Sequence, residues 1–251
     1  MSRICQTQVG NRLLRMLRDD DFALLQPYLG RTTLRSGDRF AVKGGRIAEL
    51  GFPEGGVAAF LDEGAGGERV AAGVTGFEGA LGVDALLGQA QWAHDVLLRG
   101  ADAHVVTIPA ERLLHACALS RRIHDLLLRF AGNLTRQFAR NGMLNLSAPM
   151  EARMARWILL YHDRLDGDDF PMTHEEISIM LGVRRASATD ILHVLEGHGA
   201  IRNSRGRLQV RDRARLEQIA GAGYGDIEAN YRTLIGPFGK GVGVRREFVA
   251  L

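Results

Sequence analysis

The sequence predicts an α+β protein that combines an N-terminal antiparallel β-roll of jelly-roll type, with flanking helices, and a C-terminal winged helix-turn-helix domain. Three observations predict it: short apolar runs between glycine-rich turns over residues 30–108, a long amphipathic run after them, and two short helical patterns joined by a tight turn over residues 173–201. The predicted boundaries are 1–118 for the β-roll, 119–147 for a long dimerisation helix, 148–236 for the winged domain and 237–251 for a flexible tail.

Composition narrows the class of protein. The chain has 251 residues, of which 46% are hydrophobic and 24% are charged, enough to bury one or two cores. Cys5 and Cys117 are the only cysteines, which excludes a disulfide framework and a cluster held by four thiolates. The first residues lack an apolar signal region, and no run of about 18 uncharged apolar residues occurs. We therefore expect a cytoplasmic protein with no membrane partner.

The β-roll is predicted between two helical regions. Residues 11–29 place leucines at helical spacings, broken by three aspartates, which predicts two short helices. From residue 30 to 108, turn signals recur about every 8–12 residues between apolar runs, as in an antiparallel barrel or sandwich. Pro109 suits the first position of the short helix that follows.

The long helix carries an apolar seam at heptad spacing. The seam residues are Ile123, Leu127, Phe130, Leu134, Gln137 and Asn141. Such a repeat is typical of helices that pair in a dimer, and polar seam residues can set the register. The alternative is a helix packed on its own domain, which takes a wider apolar stripe. We favour a homodimer formed through this seam.

Residues 173–201 show the pattern of a helix-turn-helix. Thr173 and Glu176 have the spacing of a capping box, so a helix starts there, and Gly182 supplies the tight turn before a second helix. Two short strand-like runs then flank residues 203–207, a hairpin with a basic tip. A helix-turn-helix followed by a basic hairpin is a winged helix.

Charge on this segment points to double-stranded DNA as the partner. The net charge of the whole chain is +3, yet residues 184–215 hold eight arginines against three acidic residues. A major groove admits one helix, and an arginine near its N-terminal end, here Arg185, can contact guanine through two atoms. The hydroxyl groups of Ser187 and Thr173 and the wing arginines can hold phosphates. The predicted DNA-contacting residues are Thr173, Arg184, Arg185, Ala186, Ser187, Thr189, Asp190, Arg202, Arg205 and Arg207.

The sequence leaves one alternative function open and argues against an enzyme. The main alternative is a ligand-binding or protein-docking module whose winged helix does not bind DNA. An enzyme is not expected: His174 and Glu175 begin like the zinc-protease motif HExxH, but Ser178 stands at the second ligand position. No phosphate-binding loop or nucleophile elbow occurs either. No metal site is predicted.

The sequence resembles the Crp/Fnr superfamily of bacterial transcription regulators over about residues 11–235. The segments that carry the resemblance are NRLLRML, SGDRF, FPEGGVAAF, ERVAAGVTGFEGALGV and MTHEEISIMLGVRRASATDILHVLEGHGAIR. It implies a homodimeric regulator with RNA polymerase as a further partner, in which Arg185 reads bases and Ala186 and Asp190 hold two more contact positions. Many members carry an acidic residue in place of Ala186 and a basic one in place of Asp190, so a different operator is expected.

The resemblance also places an effector pocket in the β-roll. Members that bind cyclic AMP use a Gly-Glu pair for the ribose and an arginine pair for the phosphate. Here Glu78 is retained without the preceding glycine and is followed by Gly79, and Ala93 and His94 stand where the arginine pair would lie. The sequence therefore predicts no response to cyclic AMP. Haem and an iron–sulfur cluster are not expected either, and the effector stays unidentified.

Overall fold

Antiparallel strands build the N-terminal half, in a computed structural model that describes residues 4–64 and 66–240. The strands of this half are β1 (Gly30–Leu34), β2 (Arg39–Ala41), β3 (Glu49–Pro53), β4 (Val57–Glu63), β5 (Arg69–Thr75), β6 (Asp95–Arg99) and β7 (Ala103–Pro109). They form two antiparallel sheets, in the orders β1-β7-β3 and β2-β6-β4-β5. The predicted β-roll is confirmed.

Short helices flank the roll where the leucine spacing predicts them. Helices α1 (Arg12–Met16) and α2 (Asp19–Leu25) precede β1, and α3 (Ala110–Leu119) follows β7. The Asn11 side chain accepts a hydrogen bond from the Leu14 amide and so caps α1. Three aspartates occupy the first turn of α2, where the helix dipole favours negative charge.

The long helix α4 (Arg121–Ser147) buries its apolar seam inside the protomer. The seam residues, each at most 7% exposed, are Ile123, Leu127, Phe130, Leu134, Gln137 and Asn141. Gln137 Oε1 accepts from the Val74 amide at 2.7 Å, and Asn141 Nδ2 donates to the Ala72 carbonyl at 2.8 Å. Strand β5 is the edge of its sheet, so these side chains satisfy backbone groups that no strand pairs. The expectation of a seam open to a second subunit is therefore wrong.

The C-terminal half has the winged helix-turn-helix that the sequence predicts. Its elements are α5 (Met150–His162), β8 (Asp169–Pro171), α6 (His174–Leu181), α7 (Arg185–Gly197), β9 (Ile201–Ser204), β10 (Arg207–Val210), α8 (Arg213–Ala220) and α9 (Asp226–Leu234). The capping box at Thr173 is present, and Gly182 ends α6 with a φ of 64°. Strands β8, β10 and β9 form the wing sheet in that order.

The four-stranded sheet of the roll is buried on both faces. Along β4, Ala58 and Phe60 join the interior of the roll, whereas Val57, Ala59 and Leu61 join the core of the winged half. Successive side chains of a strand point to opposite faces, so each face contacts a different core. Helix α6 packs on β5. The winged half is thus docked on the outer face of the roll.

The C-terminal segment is folded where the sequence predicts a flexible tail over 237–251. Phe238 is 3% exposed, and Lys240 Nζ donates to the Leu165 carbonyl at 3.0 Å. The expectation is therefore wrong for residues 237–240, because an aromatic anchor and a lysine hold them in place. Residues 241–251 lie outside the described residues.

Candidate nucleic-acid interface and effector pocket

Helix α7 presents one face to the core of the winged half and the other to solvent. The buried face consists of Ala188, Ile191, Leu192 and Leu195. The exposed face consists of Arg184, Arg185, Ala186, Asp190 and His193. The arginines lie at the N-terminal end of the helix, with Arg184 at the N-cap position. An exposed cationic helix end of this kind has the shape and charge that a DNA groove accepts.

Asp190 and Glu196 are the exposed acidic residues of α7. Asp190 is exposed, and among the ion pairs of the described residues none joins it to Arg185. A carboxylate that is free of arginine can accept a hydrogen bond from the amino group of cytosine. Within the described residues, Asp190 therefore forms no ion pair that would hold Arg185 in place.

The wing adds further exposed arginines beside α7. Arg202 and Arg205 are exposed, and Gly206 makes the tight turn with a φ of 72°. Arg207 Nε lies 3.1 Å from Asp169 Oδ1, with both side chains about half exposed. An exposed pair of this kind is worth about 0–1 kcal/mol, so Arg207 can exchange Asp169 for a phosphate at little cost.

His174, which sequence reasoning treated only as part of a failed zinc motif, connects the elements of the interface. Its Nδ1 lies 3.0 Å from Thr189 Oγ1, and its Nε2 lies 3.3 Å from Asn203 Nδ2. The asparagine amide donates, so Nε2 accepts and the Nδ1 proton is directed to the threonine hydroxyl. One imidazole therefore links α6, α7 and the wing.

The predicted DNA contacts include three hydroxyl residues, which differ in their surroundings. Thr173 Oγ1 accepts from the Glu176 amide at 3.2 Å, and Glu176 Oε2 accepts from the Thr173 amide at 2.8 Å, which completes the capping box. Thr189 Oγ1 donates to the Arg185 carbonyl at 3.2 Å as well as contacting His174. Ser187 is half-buried. Thr173 and Thr189 thus support the helices through bonds within the chain.

One arginine of the basic segment faces inward. Arg213 Nη2 donates to Asp163 Oδ1 at 2.9 Å, and its Nη1 donates to His162 Nδ1 at 2.9 Å. Burial lowers the pKa of His162, which keeps the imidazole neutral and able to accept this bond. Its Nε2 then donates to Asp168 Oδ1 at 2.8 Å. Arg213 belongs to the core between α5 and α8.

The four residues of the predicted effector pocket do not share one site. Glu78 is buried and pairs with Arg164, whose Nη2 lies 2.7 Å from Glu78 Oε1. Gly79 approaches Phe130 so closely that a Cβ there would lie 2.3 Å from the ring. Ala93 is exposed, and His94 packs edge-on against Phe138 with ring centroids 5.4 Å apart. The pocket beside Glu78 is a cavity of about 20 Å³ that Ala93 and His94 do not line.

Known proteins resemble this chain in its winged half and in its overall fold. A family model described as a Crp-like helix-turn-helix domain matches residues 152–219. The chain combines a Crp-like helix-turn-helix domain with the Crp/Fnr fold. No curated protein matches its sequence.

Solved structures share this Crp/Fnr fold at low sequence identity. A transcriptional regulator of the crp/fnr family from Eubacterium rectale aligns with a TM-score of 0.66 and 17% identity, over 84% of this chain and 98% of that one. FixK2 from Bradyrhizobium japonicum gives 0.66 and 16%, over 77% and 98%. The c-di-GMP responsive global regulator CLP from Xanthomonas campestris gives 0.64 and 14%, over 77% and 99%. The expected Crp/Fnr fold and its helix-turn-helix domain are confirmed.

No helix of residues 4–64 and 66–240 has the length and apolar character that crossing a bilayer requires. Within the same residues, no group of three or more histidine, cysteine, aspartate or glutamate side chains could hold a metal ion.

Proposed function

We propose that the chain is a dimeric, sequence-specific DNA-binding transcription regulator of the Crp/Fnr type. The observation that carries the proposal is the exposed N-terminal end of α7, where Arg184 and Arg185 form no ion pair within the described residues, with the basic wing beside it. Arg185 reads guanine in the major groove, Asp190 accepts from a cytosine amino group, and Arg202 and Arg205 contact phosphates. RNA polymerase is a further proposed partner, and the cytoplasm the proposed location.

Substitutions in α7 and in the wing test these assignments. Arg185→Ala should cost about 1–3 kcal/mol of specific affinity and relax the preference at one guanine, because a bidentate base contact is lost. Arg205→Ala should weaken all duplexes about equally and lower the salt slope by about one unit. Competition titrations over a series of salt concentrations separate the two patterns. If Arg185→Ala binds both specific and non-specific duplexes with the same affinities as the native protein, the alternative of a protein-docking module is favoured.

The dimer is proposed to form through the outer face of α4, since the inner face is buried. Residues on that outer face recur at heptad spacing and are half-buried or exposed: Leu128, Gly132, Thr135, Ala139, Gly142 and Leu146. A Cβ added at Gly132 or Gly142 would meet no atom within 4 Å, so this face has room for a second helix. Leu146 is 92% exposed in the protomer and continues this face to the C-terminal end of α4.

A charge on the outer face should separate the subunits. Ala139→Glu should give folded monomers, because a carboxylate in an a/d seam loses hydration when helices pair. Sedimentation equilibrium at micromolar concentration measures this, with Asn145→Glu, an exposed position away from the seam, as the matched control. A native protein that sediments as a monomer would contradict the proposal, as would an Ala139→Glu variant that stays dimeric.

The small volume of the pocket beside Glu78 supports a regulator that does not respond to cyclic AMP. Glu78 is already paired with Arg164, and the remaining cavity of about 20 Å³ holds no more than a water molecule. We expect calorimetry to detect no binding of cyclic AMP at micromolar concentration. Binding accompanied by a gain in DNA affinity would contradict this part of the proposal.

A further inference from the structure

The pocket beside Glu78 is filled by side chains of the same chain. On one side it is lined by β5, the loop after it and α4. On the other side it is lined by residues of the C-terminal half: Arg164, Ile227, Glu228, Tyr231 and Phe238. Pockets that bind small molecules measure about 300–1,000 Å³, against the cavity of about 20 Å³ left here. The C-terminal half thus takes the volume that a ligand would need.

Two aromatic rings anchor this filling. Tyr231 and Phe238 are each 3% exposed, and their ring centroids lie 5.1 Å apart. The Tyr231 hydroxyl donates to the Glu78 carbonyl at 2.6 Å, and the Arg164 guanidinium lies 5.1 Å from the Phe238 centroid. A buried tyrosine needs both an apolar wall and a partner for its hydroxyl. The pocket supplies both.

Helix α4 holds the backbone of the same segment. Asn133 Nδ2 donates to the Ile227 carbonyl at 3.3 Å, and Arg136 donates to Asn230 Oδ1 at 2.8 Å. Arg129, one turn earlier on α4, donates to the carbonyl of the last residue of α9 at 3.4 Å. Positions i, i+4 and i+7 lie on one side of a helix, so α4 presents a polar row along α9.

Both ends of the segment are fixed to the winged half at one carboxylate. The Tyr224 hydroxyl donates to Asp163 Oδ2 at 2.6 Å, and the Lys240 amide donates to Asp163 Oδ1 at 3.3 Å. Asp163 follows directly on α5. Residues 225–240 therefore form a loop that leaves the winged half, enters the pocket of the roll and returns to its starting point.

We propose that residues 225–240 are a built-in occupant of the roll pocket and fix the orientation of the winged half without a free effector. Because the segment is tethered, its effective concentration at the pocket is on the order of millimolar. A dissolved ligand would have to compete with the segment at that concentration. The effect on DNA binding rests on the proposed function. A fixed winged half keeps a larger fraction of the dimers in the conformation that contacts both half-sites of the DNA.

The occupancy itself is tested by hydrogen exchange on the full chain. In the native protein, the amides of α9 and of residues 76–81 are expected to be protected. The double variant Tyr231→Ala with Phe238→Ala should lose this protection while α7 and the wing keep theirs. Leu234→Ala, on the exposed side of the same helix, is the matched control and should exchange like the native protein. Free exchange of α9 in the native protein would overturn the proposal.

A milder variant covers the case in which the double variant does not fold. Tyr231→Phe keeps the ring and removes only the hydroxyl bonded to Glu78, so exchange should rise at residues 76–81 and in α9 and nowhere else. Unchanged exchange in Tyr231→Phe, together with an unfolded double variant, would assign the ring a purely structural role and overturn the proposal.

The consequence for DNA is tested with a duplex that the native protein selects from a randomised library. The double variant should bind it about tenfold or more weakly, because the apparent Kd rises as the binding-competent fraction falls. Its affinity for unrelated duplex should stay within about twofold, since the phosphate contacts are kept. Unchanged specific affinity would overturn the coupling. If the native protein binds no duplex, the proposed function fails, whereas hydrogen exchange still decides whether the segment occupies the pocket.

Discussion

Arg164→Ala is expected to destabilise the protein by about 3–5 kcal/mol, because it removes the cationic partner of the buried Glu78 carboxylate. The side chains of Arg164 and Glu78 are 3% and 2% exposed, and Arg164 contacts Glu78 Oε1 through both Nε and Nη2. The pair also joins the two halves of the molecule, so its loss should lower the free energy of unfolding of both. Urea unfolding followed by circular dichroism measures the change.

Two controls make this result specific to burial. Arg207→Ala breaks an ion pair of the same chemistry whose side chains are 48% and 50% exposed, and should cost about 0–1 kcal/mol. Replacing both Arg164 and Glu78 by leucine removes the unpaired charge and should recover much of the loss. A double variant as unstable as Arg164→Ala would contradict the account.

Phe130→Glu is expected to unfold the β-roll. Phe130 is 3% exposed and packs over Gly79, so a glutamate there would bury a carboxylate among apolar side chains. Truncating a buried phenylalanine alone costs about 3–5 kcal/mol, and the unpaired charge adds to that cost. Loss of the near-ultraviolet circular dichroism signal and of soluble yield are the readouts.

The same variant distinguishes two arrangements of α4. If the face of Phe130 lay in a subunit interface, Phe130→Glu would give folded monomers. Ala139→Glu on the opposite face is expected to behave in that way instead. A folded, monomeric Phe130→Glu protein would contradict the packing described here.

Features fixed by neighbouring residues could be predicted from the sequence. The capping box of Thr173 and Glu176, the turn at Gly182 and the hairpin around Gly206 each depend on residues a few positions apart. The period of α4 could also be predicted, but the partner of its seam could not. A helix with apolar or small residues on two faces leaves open which face its own domain covers, and Gln137 finds its partner 63 residues away.

The effector pocket shows the same limit. Glu78 matches a ribose-binding position by sequence, but its partner Arg164 lies 86 residues further on and leaves no local pattern. The prediction of a flexible tail is wrong at residues 237–240 for a similar reason, because Phe238 and Lys240 are held by distant contacts and show no helical or strand periodicity. In the pocket and in the tail, contacts between residues that are far apart in the sequence determine the structure.

Selection of binding sites from a randomised duplex library tests the central claim, that the winged helix reads DNA as part of a dimer, most directly. The account predicts enrichment of an inverted repeat whose half-site centres lie about 10–10.5 base pairs, or a multiple of that, apart. It also predicts that log affinity for the selected site falls linearly with log salt concentration. Enrichment of no sequence above the starting library, or retention that does not depend on salt, would contradict it.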